Sequence, residues 1–137
     1  MKVGKIEFAV KALIIKNGKV LILHRTDVNK DVWEFPGGRM EFGETSEQTL
    51  HREVTEETGL LVTPIKILDT WNFLSTDYQI TGIIYLCKTK CETVTLSEEH
   101  NAYKWVDINS NIIDNIHPVF KERMENWDWM LLQEECY

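Results

Sequence analysis

Glu53, Glu56 and Glu57 follow directly on Arg52, which crowds three carboxylates into one short stretch of chain. At 100° per residue on a helix, the three fall within a sector of about 100°. Leu50 and Val54 lie one turn apart and form an apolar stripe beside that sector. The carboxylates are therefore expected on a face next to the core. Like charges at i,i+3 and i,i+4 weaken a bare helix by a few tenths of a kcal/mol per pair. Gly59 reads as the end of the helix, so the glutamates sit where the macrodipole disfavours negative charge. Two local rules are broken at one place, a pattern that clusters at functional sites.

A hard cation would remove the conflict. Mg²⁺ takes one or two carboxylates, several waters and phosphate oxygens. Glu53 and Glu57, at i,i+4, are best placed to bridge one or two ions. The Gly37-Gly38 backbone, without side chains, could bring a carbonyl oxygen to the same ion. Taken alone, three clustered glutamates are more often a solvated helix face, and the surrounding spacing decides between the two readings.

The elements that must position these groups are legible around them. Residues 8–16 are rich in Val, Ile and Leu and read as a strand. Asn17-Gly18 is a hairpin turn because both residues tolerate positive φ, and residues 20–25 form the return strand. Residues 27–30 read as a polar loop, and residues 32–35 as a short strand stopped by Pro36-Gly37-Gly38. Thr45, with Gln48 three residues on, fits a capping box opening the acidic helix. Residues 60–74 and 78–88 are β-rich and are separated by Ser75-Thr76-Asp77. A polar loop at 96–101 precedes a last strand at 103–108. Pro118, after His117, opens a C-terminal helix whose core stripe is Phe120, Met124, Trp127 and Leu131. The order β-β-β-α-β-β-β-α predicts an α/β fold, a mixed sheet covered by helices, as one domain over residues 1–137.

Within this frame, Gly38, Glu44, Arg52-Glu53-Val54, Glu56-Glu57 and Gly59-Leu60 reproduce a complete Nudix box. All seven fixed positions and both aliphatic ones match. At about 6% usage per fixed residue, a chance match in this chain is on the order of 10⁻⁷. Trp33-Glu34-Phe35-Pro36-Gly37 looks like the family's lead-in, and Ser97-Glu98-Glu99-His100 with Trp105-Val106 resembles a later family segment. The chain thus resembles the MutT-like Nudix hydrolases over residues 8–108. The resemblance implies an α/β/α sandwich with a central mixed sheet. It also implies hydrolysis of a nucleoside diphosphate linked to another moiety, with Mg²⁺ or Mn²⁺ as cofactor. Carried over by residue, Glu53 and Glu57 are the main metal ligands, Glu56 a third and the Gly37 carbonyl a fourth contact. Arg52 orients the glutamates through Glu44 or Glu56.

Phosphoanhydride hydrolysis needs an activated water, neutralised phosphate oxygens and a stabilised leaving group. Glu53 is the first choice for the base, and some family members use a loop glutamate instead, here Glu98 or Glu99. Arg25 could touch phosphate, although a surface charge is the stronger expectation. Trp33, Trp71, Phe73 and Tyr78 could stack on a base; for any one of them core packing is the better expectation. Structural roles are expected for His24, His51 and His100, and packing roles for Cys87 and Cys91. The window Ser75-Thr76-Asp77-Tyr78 contains no proline, which weakens an ADP-sugar reading. Tyr78 lends faint support to dinucleoside polyphosphates. A nucleoside triphosphate cut to monophosphate and diphosphate is the leading expectation. A catalytically silent nucleotide-binding module ranks lower because no box glutamate is lost. Isomerisation of a small diphosphate ranks lower still, because no Cys or Glu outside the box is marked for it.

Composition narrows the partners. A formal charge of −7 argues against non-specific binding to nucleic acid backbones, but not against a phosphorylated small molecule bridged by a cation. No apolar run reaches membrane-spanning length, and Met1-Lys2-Val3-Gly4-Lys5 leads into no signal-like stretch. Cys87, Cys91 and Cys136 suit reduced thiols and a cytoplasmic setting. A homodimer is compatible with the fold family, and nothing in the sequence requires one.

Overall fold

The computed structural model describes residues 3–25, 32–108 and 116–137. The polar loop expected at 27–30 lies outside the described residues. Strand β1 (Lys5–Lys16) runs into β2 (Lys19–Arg25) through Asn17 and Gly18, both at positive φ, as a tight hairpin requires. Next come β3 (Trp33–Glu34) and β4 (Gly37–Arg39), helix α1 (Ser46–Thr58), then β5 (Val62–Leu74) and β6 (Tyr78–Thr89). The chain closes with β7 (His100–Asp107), α2 (Pro118–Met124) and α3 (Trp129–Glu135).

The sheet order is β3-β2-β1-β6-β5, with β4 also pairing β1 and β7 pairing β2. β1 runs parallel to β6, while the β1–β2 and β5–β6 pairs are antiparallel, so the sheet is mixed as expected. β1 is buried on both faces, and its alternation sorts its side chains between two cores. Ala9, Leu13 and Ile15 join Phe120, Met124, Trp127 and Leu132 of the C-terminal segment. Val10, Ala12 and Ile14 join Leu50 and Val54 of α1. Helices therefore cover both faces, an α/β/α sandwich. Each fully buried Leu, Ile or Val side chain stabilises this arrangement by about 1.5–3 kcal/mol.

Helix α1 forms where its signals place it. Thr45 accepts from the Gln48 amide and the Gln48 side chain accepts from the Thr45 amide, a complete capping box. Gly59 closes the helix in the left-handed region at φ 73°.

Three expectations change. Pro36-Gly37-Gly38 does not simply release the backbone. Gly37 to Arg39 pair with β1, with Lys11 opposite Gly37, because the backbone of β1 still has ladder bonds to satisfy. The last strand starts at His100 rather than at 103, because its pairing with β2 reaches back to Arg25 across a bulge. The single C-terminal helix is two. Asp128 caps α3 by accepting from the Leu131 amide, and this restart shifts the helical phase. Leu132 consequently enters the core and Leu131 is exposed.

Candidate active site

The site is built where α1 faces β4. Its three glutamates are graded in depth. Glu57 is buried, Glu53 is largely covered, and the Glu56 side chain is 60% exposed. The helix turns this sector across the boundary between core and solvent.

Arg52 holds the outer part of the cluster together. Its Nε and Nη2 donate to the two oxygens of Glu44 at 2.7 and 2.9 Å, a bidentate pair. Its Nη1 donates to Glu53 Oε1 at 2.8 Å and lies 3.6 Å from Glu56 Oε2. Nη2 also donates to the Arg39 carbonyl at 2.9 Å. Glu44, rather than Glu56, is thus the main partner of Arg52. The Arg52 bond and the Glu41 amide hold the Glu44 carboxyl down at about 2.

The Gly37-Gly38 backbone lies against the inner carboxylates. The Gly37 amide donates to Glu57 Oε1 at 2.7 Å. A Cβ on Gly38 would stand 2.4 Å from Glu53 Oε2, so only glycine lets Glu53 approach this closely. The Gly37 carbonyl accepts from the Lys11 ammonium at 3.4 Å, because the β1–β4 register sets Lys11 opposite Gly37.

Burial raises the Glu53 carboxyl, Arg52 opposes the rise, and Glu56 and Glu99 reinforce it. Burial pushes Glu57 up to about 7, against Lys11, the Gly37 amide and His100. Glu99, from the loop before β7, joins Glu57 and His100 in a group whose ligand atoms all lie within 4.8 Å of one another. Of the two loop glutamates offered by the sequence, Glu99 stands beside the helical ones.

Behind them lies an ion network centred on the buried Lys11–Glu34 pair, which carried no assignment in the sequence. Lys11 Nζ contacts Glu34 Oε1 at 2.8 Å. Arg25 Nη1 and His100 Nε2 face Glu34 Oε2 at 3.6 and 3.7 Å. Burial alone would raise Glu34, but Lys11, His100 and Arg25 together hold it well below the usual carboxylate range. A lysine inside an apolar strand was the available signal, since a buried ammonium needs an anionic partner.

A cavity of about 500 Å³ opens beside this network, lined by Lys11, Arg25, Glu34, Trp71, Phe73 and Phe120 among others. Its size and mixed apolar and charged lining suit a small ligand. Arg25 thus lies on the cavity wall. Trp33 does not line it; its ring is buried, with the Lys104 ammonium 4.4 Å from its centroid and His24 at 5.2 Å. Tyr78 is also outside the lining, packed against Phe73 at 6.0 Å.

The donor set fits a divalent cation. It combines carboxylates at graded depth, a glycine cradle that a Cβ would fill, and a buried imidazole whose ring nitrogens have no hydrogen-bond partner among the described residues.

The NUDIX domain family profile matches residues 6–134, and the chain belongs to this family. Its pyrophosphatases act on phosphoanhydride bonds, and its hydrolases generally use a divalent metal. A MutT-like protein of Streptomyces ambofaciens is 32% identical over 94 residues, covering 69% of this chain and 58% of that protein. An 8-oxo-dGTP diphosphatase of Proteus vulgaris is 41% identical over 68 residues, covering 48% of this chain and 61% of that protein. The chain therefore spans less than two thirds of the length of either relative. The crystal structure of a MutT protein from Methanosarcina mazei Go1 superposes with a TM-score of 0.80 at 26% identity, covering 98% of both chains. No helix among the described residues is long and apolar enough to cross a membrane.

Proposed function

We propose that this chain is a Mg²⁺- or Mn²⁺-dependent pyrophosphohydrolase that cuts a nucleoside triphosphate into a nucleoside monophosphate and diphosphate. The observation that carries this reading is the gathering of Glu57, Glu99 and His100 within 4.8 Å of one another, with Glu53 coupled electrostatically to Glu99. Lys11 and Glu34, whose charges act on Glu57, also line a cavity with aromatic walls.

Glu53, Glu56 and Glu57 hold the cation, with Glu99 reaching in from its loop. The bound cation supplies neutralisation of phosphate oxygens and a lowered pKa for a coordinated water. Arg52 holds Glu53 Oε1 and leaves Oε2 to take the proton of the attacking water. Trp71, Phe73 and Phe120 offer ring faces to the base in place of Trp33 and Tyr78. Arg25, at the cavity wall, is placed for a phosphate or ribose oxygen. The named activity of the Proteus vulgaris relative favours a triphosphate over an ADP-sugar or a dinucleoside polyphosphate. The three cysteines stand as free thiols, in keeping with a reducing, cytoplasmic setting.

The test is a nucleotide panel with Mg²⁺ or Mn²⁺, read as phosphate and nucleotide products, with ¹⁸O water to mark the phosphorus attacked. Glu53→Gln should reduce turnover by orders of magnitude with the fold intact. Near-normal turnover in that variant would remove Glu53 as the base and point to Glu99. Nucleotide binding with no product under either cation would favour the catalytically silent module.

A further inference from the structure

We propose that His100 is a nitrogen ligand to the divalent cation, and that with Glu57 and Glu99 it biases the site toward transition cations such as Mn²⁺ and Co²⁺ over Mg²⁺. This rests on the metal-dependent reading above and adds a ligand of different chemistry to it.

Four observations lead there. The ligand atoms of Glu57, Glu99 and His100 already lie within 4.8 Å of one another. With metal–oxygen bonds of about 2 Å, trans ligands stand about 4 Å apart, so small side-chain shifts complete the site. The His100 side chain is fully buried, yet neither ring nitrogen has a hydrogen-bond partner among the described residues. Buried polar groups left in that state are rare and call for a further partner such as an ion. The environment also matches the way proteins prepare a ligating imidazole. Such a histidine presents one nitrogen to the metal and turns the N–H of the other toward a carboxylate. His100 Nε2 faces Glu34 Oε2 at 3.7 Å, and Lys11 fixes that carboxylate from its other oxygen at 2.8 Å. Finally, His100 is held by the sheet. It pairs with Arg25 of β2, so the ring is presented from a rigid element while Glu99 comes from the preceding loop.

An all-oxygen site suits Mg²⁺, whereas an imidazole nitrogen favours the later first-row cations. The full chain, stripped of metal and loaded with one equivalent of Mn²⁺ without nucleotide, should show a directly bound nitrogen by pulsed EPR. Labelling histidine with ¹⁵N should change the coupling. The signal should vanish in His100→Gln, with Mn²⁺ affinity falling about 10-fold or more and Mg²⁺ affinity changing by about twofold or less. If His100→Gln does not fold, the identity is reached by elimination: the chain has four histidines, and the signal should survive in His24→Gln, His51→Gln and His117→Gln. Bound Mn²⁺ with no nitrogen coupling, or coupling unchanged in His100→Gln, overturns the proposal and leaves the hydrolase reading standing. Failure to bind Mn²⁺ at all overturns both.

Discussion

The Gly37 amide donates to Glu57 Oε1 at 2.7 Å, tying the deepest carboxylate of α1 to the backbone of β4. This bond holds in place a group that burial makes reluctant to ionise. The Glu57 carboxyl is raised to about 7, so the folded chain binds a proton there that the unfolded chain releases near its ordinary value of 4.5. Glu57 therefore contributes stability fully below about pH 4.5, and that contribution is lost as pH rises through about 7. The loss is on the order of 3 kcal/mol. Glu34 and Glu44 act in the opposite sense at lower pH, and His117, lowered by burial, opposes the fall only up to about pH 6.5. Thermal melts of metal-free protein should show a falling Tm between pH 5 and 8, less steep in Glu57→Gln. Divalent cation should restore more stability at pH 8 than at pH 6. A metal-free Tm that climbs across this window would count against the assignment.

Gly37 and Gly38 should respond differently to alanine. At Gly37, φ is 138° and a Cβ would stand 2.1 Å from the Val10 carbonyl oxygen, a backbone atom that cannot swing aside. Gly37→Ala should lower stability by about 3 kcal/mol or more. At Gly38 the obstructing atoms belong to the end of the Glu53 side chain, which can move. Gly38→Ala should keep Tm within a few degrees and still reduce kcat about 10²-fold, because Glu53 is displaced. Denaturation melts beside steady-state kinetics separate the two outcomes.

The Arg52–Glu44 pair should act as one unit. Arg52→Lys keeps the charge but cannot reproduce two parallel N–H···O bonds. Its metal affinity should fall about 10- to 100-fold, and Glu44→Gln should fall less. Calorimetric titration of both variants and their combination closes a double-mutant cycle, with an expected coupling of about 1 kcal/mol or more. Strict additivity would show that Glu44 does not act through Arg52.

The cavity wall depends on a clamp far from the carboxylates. Asp69 of β5 accepts from Trp127 Nε1 at 2.8 Å and from the Arg123 guanidinium, fastening the C-terminal helices to the sheet. Phe120, held by the same helices, contacts both Trp71 at 5.3 Å and Phe35 at 5.0 Å. Asp69→Ala should cost about 2 kcal/mol and raise KM for nucleotide while leaving metal affinity near its original value. Equal loss of metal affinity would mean that the clamp supports the whole site and not the cavity alone.

The acidic helix was legible from residue order because its determinants are local. The Thr45 and Gln48 cap, the Leu50 and Val54 stripe and the Gly59 stop all lie within a few turns, and helical spacing then dictates which glutamates share a face. The Asn17-Gly18 turn was readable for the same reason, whereas the mixed sheet followed from the order of strands and helices. Chain order alone could not assign Glu34 its role. Its partners Lys11, Arg25 and His100 come from three different strands and meet only when β2 pairs with both β3 and β7. The split between α2 and α3 turned on Asp128 as a cap against a continuous apolar stripe, a contest between local capping and core packing. What the sequence by itself determined was the carboxylate helix and the class of chemistry it serves. Tertiary structure alone decided which carboxylate is buried, which imidazole stands beside it and which aromatic rings face the cavity. Depth and nonlocal neighbours are set by strand pairing and layer packing, and no spacing along the chain encodes them directly.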